Sequence, residues 1–270
     1  MNNTINGITI SSTVQDQETA VLIRQTREIM EQIIEKHWGL PPPKDLFVYT
    51  MTEKWFKDIF SAAPPIWRFL LAITSPFWYI RIHRMWPFIG GWQQQFGRRR
   101  VVGVKPPHLL KTSNRSIGEQ IYNPETDYVK KFQLLLCHEL MHAFTAHLRL
   151  PVWLNEGLAM LAVDQYSGKP TIKIETLNAL RKSSNRSGTT SYRGMDLSNP
   201  DIAVYIYARG YWITRYLETT NPGVLKKLLE KRHTHKNLHE QIAKALQLSQ
   251  QEFWKQIDGL IVRRFASEGN

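Results

Sequence analysis

From a start near Thr126 or Asp127 to about Leu148 the apolar residues Val129, Phe132, Leu135 and Leu136 recur at helical spacing, and two histidines, His138 and His142, are set into the same pattern four residues apart. On an α-helix that spacing brings both imidazoles to one face, one turn apart. Pro151 then breaks the pattern, and a second apolar stretch, Val152 to Val163, begins almost at once. The chain must therefore fold a helix, a tight turn and another helix, and must give the ring nitrogens on a largely apolar helix something to bind.

Residues 137 to 142 read C-H-E-L-M-H. Two imidazole nitrogens at this spacing suit zinc, and Glu139 beside them can take a proton from a water that zinc acidifies. Downstream, the run Leu150 to Ala159 reads L-P-V-W-L-N-E-G-L-A and puts Glu156 early on the second helix, as a third ligand. A set of two histidines and a glutamate leaves one metal position open for water and substrate, as a catalytic zinc site requires. The three-histidine alternative needs Gly at 145 and His at 148; the chain has Thr145 and Leu148, and His147 does not fill that role. Cys137 points about 100° away from His138 around the helix and reads as a small buried apolar residue.

The rest of the chain frames this pair. An amphipathic helix is predicted from Gln15 to His37, stopped by Gly39 and Pro41 to Pro43. Leu46 to Met51 reads as a strand, and Thr52 as the cap of a helix starting near Glu53. Strands are predicted over Trp92 to Phe96 and Arg99 to Val104, around a turn at Gly97. Lys111 to Thr126 reads as a polar loop, Glu175 to Lys182 as a helix, and the Ser-, Asn- and Gly-rich run Asn185 to Asn199 as a loop. Three or four helices follow from Asp201 to Phe265, broken at Asn221-Pro222-Gly223. This order predicts an α+β fold: an N-terminal amphipathic helix (1–40), a small mixed-sheet lobe with the histidine helix (41–150), and an all-helical lobe (151–270) carrying the third ligand.

A formal charge of +12 and a pI near 9.8 favour anionic partners. The cations form no single block, and the densest cluster, Arg98 to Arg100, sits in a hairpin turn without a nucleic-acid-binding motif, so no nucleic-acid partner is expected. The single cysteine excludes an internal disulfide framework. Met1 to Thr13 has neither a basic leader nor a long apolar run, which leads to the expectation of a cytoplasmic protein. The aromatic segment Pro64 to Trp92 is interrupted by Arg68, Arg81, His83 and Arg84. Its longest uncharged run, Phe69 to Ile80, falls well short of the roughly 20 residues a membrane span needs. A core-packed helix, a substrate-groove wall and peripheral membrane contact through residues 64–92 all remain open for it.

The pairing of H-E-x-x-H with W-L-N-E-G-L-A resembles the gluzincin metallopeptidases, in particular their aminopeptidase-like branch and the small peptidase-MA-like domains called minigluzincins. The resemblance is close over His138 to Ala159 and looser over Leu46 to Tyr216. It implies a zincin-like fold, Zn2+ held by His138, His142 and Glu156, and Glu139 acting first as base and then as acid in hydrolysis of a peptide or protein substrate. It further implies a tyrosine on a later helix that stabilises the oxyanion. Tyr205, Tyr207 and Tyr211 in Y-I-Y-A-R-G-Y are the candidates, with Tyr207 preferred, and Arg209 is a candidate for a substrate carboxylate. An extended peptide would lie along a strand edge, Trp92 to Phe96 or Arg99 to Val104. Two departures stand out. The Gly-x-Met-Glu-Asn run that captures a free amine in full-size aminopeptidases is missing, its nearest analogue being Gly90-Gly91-Trp92-Gln93-Gln94. Met160 stands where thermolysin-like proteins have an acidic partner four residues after the third ligand, leaving Asp164 as the candidate support for a histidine. Two other functional readings compete: a catalytically silent zincin-like domain serving as a membrane-surface or protein-binding module, and hydrolysis of a non-peptide amide or epoxide at the same metal.

Overall fold

A computed structural model of the chain describes residues 2–5, 8–11, 17–52, 54–74, 86, 89–110, 117–182 and 200–266. The expected loop Asn185 to Asn199, and most of the aromatic segment beyond residue 74, lie outside the described residues. The fold is mixed α+β, with a three-stranded sheet followed by a helical C-terminal part. It divides into two compact units, residues 1–31, 42–115 and 125–144 in the first and residues 32–41, 116–124 and 145–270 in the second.

In the first unit, strands β1 (Asn2–Ile5) and β2 (Ile8–Ser11) form an antiparallel hairpin. Helix α1 (Gln17–Trp38) matches the apolar period read from sequence; it buries Ile23 and Met30 in its part of this unit, and Ile34 and Trp38 in its last residues, which belong to the second unit. The sheet combines β3 (Leu46–Thr50), β4 (Gly91–Phe96) and β5 (Arg99–Val104) in the order β3-β5-β4, with β3 parallel and β4 antiparallel to β5. The strand Arg99 to Val104 is therefore central and offers no edge; of the two strands proposed as a peptide-binding edge, only β4 is one. Trp92 and Tyr49 both stand beside Gly103 in the register, and the Trp92 indole N–H donates to the Tyr49 hydroxyl at 2.9 Å. Helix α2 (Trp55–Ala62) and helix α3 (residues 65–74) cover this face, where Phe47, Tyr49, Met51, Ile59, Phe96 and Val101 form a core with Trp67 and Leu71 against it.

Thr52 does not cap α2. Its N–H and hydroxyl both donate to the Asp58 carboxylate, at 2.8 and 2.7 Å, which holds it outside the helix and delays the first turn to Trp55. Helix α4 (Pro107–Leu110) follows the sheet. A short helix α5 (Ile117–Ile121) stands where a loop was expected; it belongs to the second unit, where Tyr122 bridges Ile172 and backbone bonds join Asn123 to Thr171 and Lys173 to Ile121.

The second unit is built on α7 (Val152–Ser167) and α9 (Pro200–Thr220), with α8 (Leu177–Lys182), α10 (Val224–Leu229), α11 (His235–Ala245) and α12 (Gln250–Phe265) around them. Helix α7 runs a turn longer than expected because its residues Leu158 to Val163 are buried all round and nothing breaks it before Gly168. Ser249 opens α12 with a reciprocal cap: its hydroxyl accepts from the Glu252 N–H while Glu252 accepts from the Ser249 N–H. Among the described residues, no helix is long and apolar enough to cross a membrane.

Lys105, just past β5, is 2 % exposed; its ammonium donates to the Trp86 carbonyl at 2.5 Å and lies 4.2 Å from the centre of the Trp86 ring. Burial lowers its pKa from 10.5 to about 8. Between those two values the unfolded chain keeps a proton that the folded chain has lost, so this group makes stability rise with pH across that window. Urea unfolding at about pH 7 and about pH 10 should show a larger gain for wild type than for Lys105→Met; equal gains would refute the assignment.

Candidate metal centre

Helix α6 (Tyr128–Thr145) carries the two histidines. Asp127 caps it, its carboxylate accepting from the N–H groups of Val129 at 2.8 Å and Lys130 at 3.3 Å. Phe132, Leu136, Leu140, Met141 and Phe144 are buried, whereas Val129, expected on the apolar face, is 41 % exposed in the first turn. Cys137 is fully buried, and burial pushes its thiol well above its usual pKa, the state of an inert core residue.

His138 and His142 turn their Nε2 atoms towards each other at 3.1 Å, with the rings edge to face. Two zinc–nitrogen bonds of about 2.05 Å at a tetrahedral angle hold their nitrogens about 3.3 Å apart, so the pair is already near the separation a metal would impose. The ligand atoms of His138, His142 and Glu156 all lie within 4.8 Å of one another. Two neutral imidazoles and one carboxylate form a donor set suited to a borderline divalent cation. The residues present thus fit the metal read from the sequence.

The end of α6 and the start of α7 are linked by a bond not anticipated from sequence. The buried Thr145 hydroxyl donates to the Asn155 side-chain carbonyl at 2.8 Å, next to Glu156. Thr145 is thus a working part of the turn, and Asn155 in the W-L-N-E-G run has a structural reason. Between them, a 3-10 turn (Ala146–Leu148) leads to Arg149 in the left-handed conformation (φ 53°), whose carbonyl lies 3.1 Å from the His235 Nε2. Pro151 then starts α7, its carbonyl accepting from Leu154 and Asn155.

Glu139 is 7 % exposed. A β-carbon added to Gly91 would stand 2.8 Å from the Glu139 Cγ and 3.1 Å from its Oε1, so the carboxyl is packed against the first residue of β4. In the sequence Gly90-Gly91 stands out only as the nearest analogue of an amine-capturing strand; the contact with the acid depends on tertiary packing and leaves no local mark.

The second unit settles the surroundings of the other candidates. The Tyr205 hydroxyl donates to Asp258 at 3.2 Å, and the Arg209 Nε donates to the other oxygen of the same carboxylate at 2.8 Å. Arg209, the candidate for a substrate carboxylate, is 4 % exposed and is a buried partner of the Asp258 carboxylate. The Tyr211 hydroxyl donates to Asp164 at 2.6 Å and accepts from Arg215 at 2.9 Å. The other Asp164 oxygen accepts from the Thr171 N–H and hydroxyl. Burial pushes Asp164 above the usual carboxylate range, against the pull of these bonds. Asp164 therefore supports Tyr211 and Thr171, not a histidine. Tyr207 is half-buried on α9. A basic recess lined by Arg149, Arg232, His233 and His235 includes none of the three ligands.

Gly157, directly after Glu156, faces α9. A β-carbon there would come 2.3 Å from the Gly210 carbonyl oxygen and 2.1 Å from the Thr214 hydroxyl, and one on Gly210 would come 2.4 Å from the Trp153 carbonyl. Comparison with known protein families and with curated protein sequences gives no match. Because backbone cannot step aside as a side-chain tip can, Gly157→Ala should cost about 3 kcal/mol, the upper end of overpacking costs. Urea denaturation reads this directly, and a variant as stable as wild type would disprove the close crossing.

Proposed function

We propose that the protein is a zinc-dependent metallopeptidase, a zincin-like hydrolase of the gluzincin type. The observation that carries this reading is the convergence of His138, His142 and Glu156, with Glu139 on the same helix turn as the two histidines. His138, His142 and Glu156 would hold the metal. A bound zinc ion supplies Lewis-acid activation of water and of a substrate carbonyl.

The remaining work falls to the chain's own groups. The Glu139 carboxylate takes a proton from the attacking water and passes it to the departing amine, which keeps the proton count balanced through peptide cleavage. Its burial against Gly91 restricts the side chain to few positions, which favours orientation over freedom. The outer edge of β4 has backbone donors and acceptors that can pair with an extended peptide, as strand addition does elsewhere. Tyr207, on α9, later in the chain than the helix carrying Glu156, is proposed as the donor to the developing oxyanion, as the resemblance implies for a tyrosine on a later helix.

Purified full-length protein should contain about one zinc per chain and lose it in His142→Ala. Glu139→Gln should retain the metal and lose hydrolysis of a mixed peptide library by about 100-fold or more, the scale of a lost general base. Wild-type protein that takes up no zinc would overturn the reading, as would equal hydrolysis by Glu139→Gln. Gly91→Ala provides a finer probe: with Glu139 displaced, turnover should fall about tenfold or more at unchanged metal content. Unchanged turnover would remove Gly91 from the site.

A further inference from the structure

Helix α3 has two apolar faces and only one of them is used. Trp67 and Leu71 pack on the core of the first unit, and the Trp67 ring lies 5.8 Å from that of Phe96 at the end of β4. The other face holds Ile66, Phe69, Leu70 and Ile73, at spacings of three, four and seven residues, and they are 72, 68, 46 and 62 % exposed. Single exposed apolar residues are ordinary on a protein surface; four in register on one helix face are not.

The stretch of sequence that contains this helix has charge of one sign. No Asp or Glu occurs from Ile59 to Gly118, while nine Lys and Arg do, so these 60 residues contribute +9 of the chain's +12. No cationic block marks this stretch; the asymmetry comes from the missing acids. Some of the cations are engaged, since Arg99 pairs with Asp45 and both Arg100 and Lys105 are buried. Arg98 is exposed in the β4–β5 turn, two residues from the Phe96 that Trp67 packs against. Arg68 is exposed on α3 itself, its guanidinium donating to the Ala63 and Ser61 carbonyls. An apolar helical face in a cationic stretch of sequence without acids has the chemistry that binds an anionic bilayer: apolar side chains enter the headgroup boundary while Arg and Lys meet lipid phosphates.

We propose that the outer face of α3 docks the protein onto an anionic lipid membrane surface, independently of the metal chemistry. The full-length protein should sediment with vesicles of phosphatidylcholine containing phosphatidylglycerol, remain in solution with phosphatidylcholine alone, and be released by high salt. Replacing Ile66, Phe69 and Ile73 by Ser should reduce vesicle binding about tenfold or more, with circular dichroism and zinc content unchanged. Arg98→Glu should weaken binding with the apolar face intact. The inference is overturned if wild type ignores anionic vesicles, if it binds neutral ones equally well, or if the triple variant binds as wild type does. It is also overturned if light scattering shows a wild-type dimer that the triple variant abolishes without any vesicle binding, since a second copy would then cover the face.

Discussion

Where α7 meets α9, no side chain separates the two backbones. Gly157 faces the carbonyl of Gly210, and Gly210 in turn faces the carbonyl of Trp153. A contact this close is rigid because close-packed backbone has no rotamers with which to relax. Its importance lies in its position: the next residue back along α7 from Gly157 is Glu156. A carboxylate one residue from a fixed point on a buried helix is held to a small arc, as the candidate ligand Glu156 is. The bond from Thr145 to Asn155 fixes the other side of the same short segment.

Two buried aspartates complete the frame. Asp258 collects Arg209 and Tyr205, and Asp164 collects Tyr211 and Thr171. Buried ionic groups of this kind add little net stability, because desolvation offsets much of the attraction, but removing one partner strands the other. Their effect is selective. They fix three of the polar residues in Y-I-Y-A-R-G-Y inside the helical unit.

What could be read from sequence was what repeats locally. The spacing of His138 and His142, the acid beside them, and the new helix carrying Glu156 all follow from helical periodicity and from a proline, and these are short-range properties. The strands flanking Gly97 and the limits of α1 were legible for the same reason. What escaped depends on contacts distant in sequence. That Arg209 is buried follows from an aspartate 49 residues away. That Arg99 to Val104 is the central strand follows from its parallel pairing with β3, more than 50 residues earlier. Thr52 looked like a cap because its residue type suits one, and Asp58, within the helix, drew it away. The packing of Glu139 against Gly91 had no signature beyond a glycine pair in a strand.

Among the described residues β4 is an edge strand, and its polar edge has a consequence of its own. An edge strand open to a peptide is equally open to another copy of itself, and three consecutive glutamines, Gln93 to Gln95, are the kind of run whose side-chain amides ladder along a growing fibril. Arg98, exposed in the turn after Gly97, opposes this. In a stack of chains repeating every 4.8 Å or so, each copy would set this cation directly over the next, and the repulsion would accumulate with every layer. Arg98 thus acts against fibril growth along β4.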